Sequence, residues 1–213
     1  MNPLAKADRR LVEEAAFAAL EFGRVAADAA PLEAAVERFR FLVEHPALGM
    51  PLDARLIGYL GEALWRLAER APDRKGLEET IEFLRQKARD VKRDEARLDW
   101  ARIQNNLGSA LAALGEREAG TARLEEAAAA YRLALTERTR ERVPLDWAFS
   151  RHNMGLVLAI LAERTGDRAR LMEAIACMRD AAQVYREGNV SYWLPKAEER
   201  IEAMEAALAA MKQ

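Results

Sequence analysis

The chain has 213 residues, 51% hydrophobic, 32% charged and only 7% aromatic, and its 33 basic and 35 acidic side chains leave a formal net charge of −2. That is enough chain to bury a sizeable core, and its 44 alanines, with much Leu, Glu and Arg and few β-branched residues, exclude an all-β fold and favour helix. With no excess of Lys and Arg no nucleic-acid partner is expected, and with no run of about 18 apolar residues no membrane span is expected.

In chain order, residues 9–24 and 32–44 read as a first pair of helices, with Leu32-Glu33 echoing Leu77-Glu78. His45 falls in a turn rich in Pro and Gly, and Pro51 breaks the chain before the next pair. From there an internal repeat organises the sequence. Gly61, Gly108 and Gly155 are each 47 positions apart, and so are Leu64, Leu111 and Leu158. The same step links Leu67, Leu114 and Leu161, the pairs Glu69-Arg70, Glu116-Arg117 and Glu163-Arg164, and Leu77, Leu124 and Leu171. Trp100-Ala101 repeats as Trp147-Ala148. So many coincidences at one ungapped spacing mark a repeat protein.

Each unit reads as two helices. In the third, Ile103, Leu107, Leu111 and Leu114 follow helical spacing from about Asp99 to Arg117. Asp99 stands where an N-cap belongs, as do Asp53 and Asp146. The second helix of that unit runs from about Thr121 to Arg138, with Leu124, Ala127, Ala128, Tyr131, Ala134 and Leu135 on one face, and Pro144 breaks the chain after it. The pairs occupy residues 9–50, 51–97, 98–144 and 145–192. Trp193-Leu194-Pro195 opens a last helix to about Met211, striped with Ile201, Met204, Leu208 and Met211, which suits a terminal cap.

These units resemble tetratricopeptide repeats. Leu107-Gly108, Leu111 and Leu114-Gly115 match the first-helix pattern of that family. Ala127, Tyr131 and Ala134 match the second, and Ala174, Met178 and Ala181 repeat it with Met for the aromatic. The repeat is longer than the family's 34 residues. The stretch Asn105-Asn106-Leu107-Gly108-Ser109-Ala110-Leu111 is similar to the long variants of kinesin light chains and bacterial multi-domain regulators. The resemblance covers roughly residues 9–211 and implies one all-α domain: a right-handed α-solenoid of about four helix pairs with a capping helix.

It also implies a function. In such stacks the first helices line a concave groove that holds a peptide or partner segment. Carried over by register, the groove positions are Arg55, Tyr59, Glu62 and Arg66 in the second unit, and Arg102, Asn105, Asn106 and Ser109 in the third. The fourth unit adds His152, Asn153 and Leu156, and the cap adds Lys196 and Arg200. Asn106 and Asn153 stand where the family grips a ligand backbone, since an amide both donates and accepts. Tyr59 interrupts that ladder. Arg55, Arg102, Lys196 and Arg200 would attract acidic side chains or a terminal carboxylate.

Other residues suggest packing. Trp100 and Trp147 share a repeat position and read as inter-repeat contacts. The recurring Glu-Arg pairs close the first helices, where Arg suits the C-terminal dipole. Cys177 reads as a small core residue. No metal spacing, phosphate loop or nucleophile elbow occurs, so neither cofactor nor metal is expected, nor an enzyme. The expected role is a protein-binding scaffold, as a monomer or homodimer; the alternative is a self-associating subunit that uses its ends. The residues Met1–Asp8 lack the apolar core of a secretory signal and the lone cysteine cannot form an internal disulfide, so a cytoplasmic location is expected.

Overall fold

The structure, a computed structural model, describes residues 8–45, 53–71 and 73–211. Among these it is all-helical, without a strand. The helices are α1 (Arg9–Val25), α2 (Ala30–Glu44), α3 (Ala54–Arg70), α4 (Lys75–Asp90), α5 (Arg97–Glu116), α6 (Ala122–Leu135), α7 (Pro144–Thr165), α8 (Arg168–Glu187) and α9 (Leu194–Ala210). None is long and apolar enough to cross a membrane. The chain divides into two compact units, residues 1–110 and 111–213, with the boundary inside α5. In the first, α1 packs on α2, α2 on α3 and α3 on α4; in the second, α6 packs on α7, α7 on α8 and α8 on α9. Packing between chain neighbours is what helical repeats use to bury faces that one pair cannot bury alone.

The helix starts follow local chemistry. The Asp53 carboxylate accepts from the Arg55 and Leu56 amides, as an N-cap should. Asp99 and Asp146, expected to do the same, lie inside the first turns of α5 and α7. The first starts early because a turn at Lys92–Glu95 leads into it, with the Trp100 amide donating to the Ala96 carbonyl at 2.8 Å. The second starts early because Pro144, with its preset φ and missing amide proton, serves as its first residue. Pro195 enters α9 similarly, behind Trp193. Gly166 ends α7 at φ 68°, a left-handed conformation that costs glycine little. Pro51 lies outside the described residues.

Small residues occupy the crossings. A Cβ on Gly155 would sit 3.1 Å from the Ala174 carbonyl oxygen and 3.3 Å from the Cys177 Cβ, so α7 and α8 touch there almost backbone to backbone. In the first unit, a Cβ on Gly61 would collide with a methyl of Leu84. The first core gathers Val12, Leu20, Phe39, Leu42, Leu56 and Leu60. The second buries Leu158, Leu161, Leu171, Met178 and Tyr185, with Ala174 and Ala181 between them.

Arginines hold helix ends. Arg70 donates to the carbonyls of Gly23 (2.7 Å) and Asp28 (2.8 Å), at the end of α1 and in the loop after it. Arg164, at the same repeat position, donates to Gly115 (3.0 Å) and Gly120 (2.7 Å). Thus the expected role of these Arg residues at their own helix ends is extended: they also donate to carbonyls at the end of an earlier helix and in the loop after it. Arg9 does so for α2, on Leu42 and His45, and Arg168 for α9, on Leu208 and Met211.

Candidate functional site

In the first unit the expected groove residues are committed to one another or to neighbouring side chains. Glu62, on the turn of α3 that follows Gly58 and Gly61, takes both oxygens to Arg24 at 2.8 Å and accepts from Arg66 at 2.9 Å. Its side chain is only 12% exposed. Burial alone would raise its pKa, but the Arg24 bond and charge, helped by Arg66, outweigh burial and hold it below the usual carboxylate range. Arg55 pairs with Glu13 at 2.6 Å and Asp53 at 3.2 Å. Arg102 pairs with Asp99 at 3.3 Å and lies over the Tyr59 ring, 4.5 Å from its centroid. Tyr59 also meets Phe17 edge-on at 4.6 Å. The guanidinium of Arg66 covers Trp65.

One expectation is corrected here. Asn106 is not an open donor for a ligand backbone: it is buried, and its Nδ2 donates to the Gly58 carbonyl at 2.8 Å. Two glycines of α3 make room for this packing: the Arg102 stem lies where a Cβ on Gly58 would be, and the Asn106 amide lies 3.7 Å from where a Cβ on Gly61 would be. Ser109 is likewise buried and donates to the Asn105 carbonyl. Asn105 is half-buried and has a partner of its own.

In the second unit the corresponding residues are left open. Asn153 and Leu156 are half-buried on α7, and the Asn153 amide has no hydrogen-bond partner among the described residues. On α9, Lys196 and Arg200 are exposed, four positions apart on one face, and neither meets a carboxylate among the described residues. The Lys196 ammonium instead bonds the Tyr192 hydroxyl at 2.7 Å and sits near the Trp193 ring. His152 is only 5% exposed and its Nδ1 has no hydrogen-bond partner among the described residues. It lies against Trp193, centroids 5.5 Å apart, and against Tyr185 at 6.1 Å. Burial first, then the charges of Arg200 and Lys196, lower the pKa of His152 to about 4, so the ring is neutral near pH 7. The Tyr185 hydroxyl is also buried without a partner among the described residues, and burial pushes its pKa up.

Sequence reasoning missed Tyr185, Trp193 and Phe149, which build the aromatic wall behind His152. Their signal was a concentration of aromatics in an aromatic-poor chain. It also missed an open cleft of about 880 Å³ in the first unit, between α2 and α4, floored by Leu60, Leu64 and Leu67 of α3. Cys177 is fully buried, and burial raises its pKa to about 11, which leaves it a thiol. Trp100 is buried and donates from Nε1 to the Ala88 carbonyl at 3.2 Å, as a packing residue would. Among the described residues no group of three His, Cys, Asp or Glu could hold a metal ion.

No protein-family model matches the chain, and no curated protein matches it.

Proposed function

We propose that the chain is a protein-interaction scaffold of the α-solenoid, tetratricopeptide-like type, and that it contacts its partner through α7 and α9 of the second unit. A single observation carries this reading. Of the expected groove residues, Asn153, Lys196 and Arg200 keep their polar groups unspent by ion pairs, beside a neutral histidine in an aromatic wall. That chemistry suits an extended segment with an acidic side chain or a terminal carboxylate. The amide would hold the ligand backbone, the two cations its charge, and the aromatic rings its apolar stem. Affinity would come from several modest contacts, because the cations are exposed and screened.

The test is comparative capture. Wild-type protein and the triple variant Asn153→Ala/Lys196→Glu/Arg200→Glu are used as baits in native lysate, and the captured proteins are identified by mass spectrometry. The expected result is a partner retained by wild type and lost by the variant, with equal helicity in both. Identical capture by the two baits overturns the reading.

A further inference from the structure

We propose that α1 is a self-association seam, through which two copies of this chain pair as antiparallel helices. On α1 the residues Leu11, Ala15, Ala18, Phe22 and Val25 are all exposed. Leu11 is 62% exposed, Phe22 63% and Val25 83%, and α1 alone among the described helices displays three large apolar side chains this way. The other face of the same helix, with Val12, Ala16 and Leu20, is already spent on the core. The exposed positions are spaced alternately four and three apart. That is the heptad seam by which one helix packs knobs into the holes of another. A helix with only a core face to bury has no use for a second stripe. α9 presents Lys196, Glu199, Arg200 and Glu202 on its exposed side instead.

The occupant that fits is a second α1. In an antiparallel pair, Leu11 of one copy lies level with Phe22 of the other, and Ala15 with Ala18. Bulky layers then close both ends while alanines let the axes approach in the middle, and the arrangement is its own complement under a two-fold axis. In that register Arg10 and Glu14 of one copy both lie within about a turn of Glu21 of the other, which already pairs with Arg24, so the two carboxylates are matched by two guanidiniums across the seam. Among the described residues the Arg10 side chain pairs only with Glu14, an exposed pair of little strength. A helix of 17 residues is about 25 Å long, and pairing along it covers on the order of 800–1,000 Å² in total, below the size of stable specific interfaces and within that of weak, transient ones. The dimer is therefore weak and concentration-dependent. It involves none of the residues assigned to partner binding.

Sedimentation equilibrium of the full chain tests the seam. The average mass should rise towards twice that of the monomer from low to high micromolar concentration. Leu11→Glu/Phe22→Glu should stay monomeric throughout, with unchanged helicity, because both side chains are exposed. Register is tested by mixing Ala15→Cys and Ala18→Cys proteins under mild oxidation; the native Cys177 is buried and does not interfere. A mixed disulfide should form at least tenfold faster than between Ala18→Cys and a control carrying Glu78→Cys on the exposed side of α4. A monomer at every concentration, a dimer that survives Leu11→Glu/Phe22→Glu, or cross-linking no faster than the control overturns the proposal.

Discussion

Glu62 and Arg200 occupy candidate positions in two units of one repeat protein, yet the first is walled in by Arg24 and Arg66 while the second meets no carboxylate among the described residues. The same contrast runs through both sets. In residues 1–110, Arg55, Arg102 and Asn106 are spent on Glu13, Asp99 and the Gly58 carbonyl. In residues 111–213, Asn153, Lys196 and the buried His152 have spare hydrogen-bonding or charge capacity. Register in a repeat tells which face a residue occupies. Whether its chemistry is available depends on what the neighbouring helices bring to it.

The largest expected effect tests the platform beneath the open set. Gly155→Leu forces a side chain against the Ala174 carbonyl, which is backbone and cannot swing aside. It should cost about 3 kcal/mol in urea unfolding. Gly61→Ala in the first unit clashes with a Leu84 methyl, which can rotate away, and otherwise makes ordinary contact with Leu84 and the Asn106 amide, so it should change stability by less than about 1 kcal/mol. Equal effects would erase the distinction between the two crossings.

Next is the closed set. Glu62→Ala leaves Arg24 and Arg66 facing each other without their carboxylate. Both are about a third exposed and can turn to water, so the loss should be about 2 kcal/mol, below that for a fully buried pair. A stability unchanged by this variant would make the pairing decorative.

Acid should separate the units by pH. The folded pKa of His152 is lowered to about 4, against about 6.5 in an unfolded chain. Between these values the unfolded chain binds more protons, so this contribution is complete above about pH 6.5 and is lost as pH falls towards 4. Its size should be on the order of 2 kcal/mol, set mainly by burial of the ring and only in part by the exposed, screened charges of Arg200 and Lys196. Glu62, with its pKa lowered, contributes fully above the usual carboxylate range and is lost only below it. Hydrogen exchange at pH 5 should therefore show α7–α9 loosened before α3, and His152→Phe should remove the difference. Simultaneous loosening of α3 and α7–α9 would contradict the assignment.

The smallest effect on stability is expected from Arg200→Ala, within about 0.5 kcal/mol, because the residue is exposed and unpaired among the described residues. Its effect should appear in partner capture alone. A larger loss on unfolding would assign Arg200 a structural role.

The helical architecture was legible because the 47-residue step and the 3.6-residue stripes are local patterns. The last helix, expected to open at Trp193-Leu194-Pro195, begins at Leu194, and the first pair agrees with α1 and α2 within about two residues. Asp53 caps its helix as read, whereas Asp99 and Asp146 are displaced inward by a turn and a proline that start their helices earlier. The site was less legible. Asn106 and Asn153 look alike in register, but the first donates to the Gly58 carbonyl, 48 positions away in sequence, while the second has no partner among the described residues. Glu62 finds Arg24 across 38 positions, a pairing that no local pattern encodes.

The arginines that donate to helix-end carbonyls have a further consequence for how the molecule comes apart. Arg70 and Arg164 tie the ends of α3 and α7 to the helix end one repeat earlier, so neither end frays alone: melting its last turn also strips the earlier helix of a donor. In a linear array such couplings set how far a local lesion spreads. Each of these guanidiniums acts as a toggle between neighbours, and substituting one would shorten the cooperative block that unfolds together.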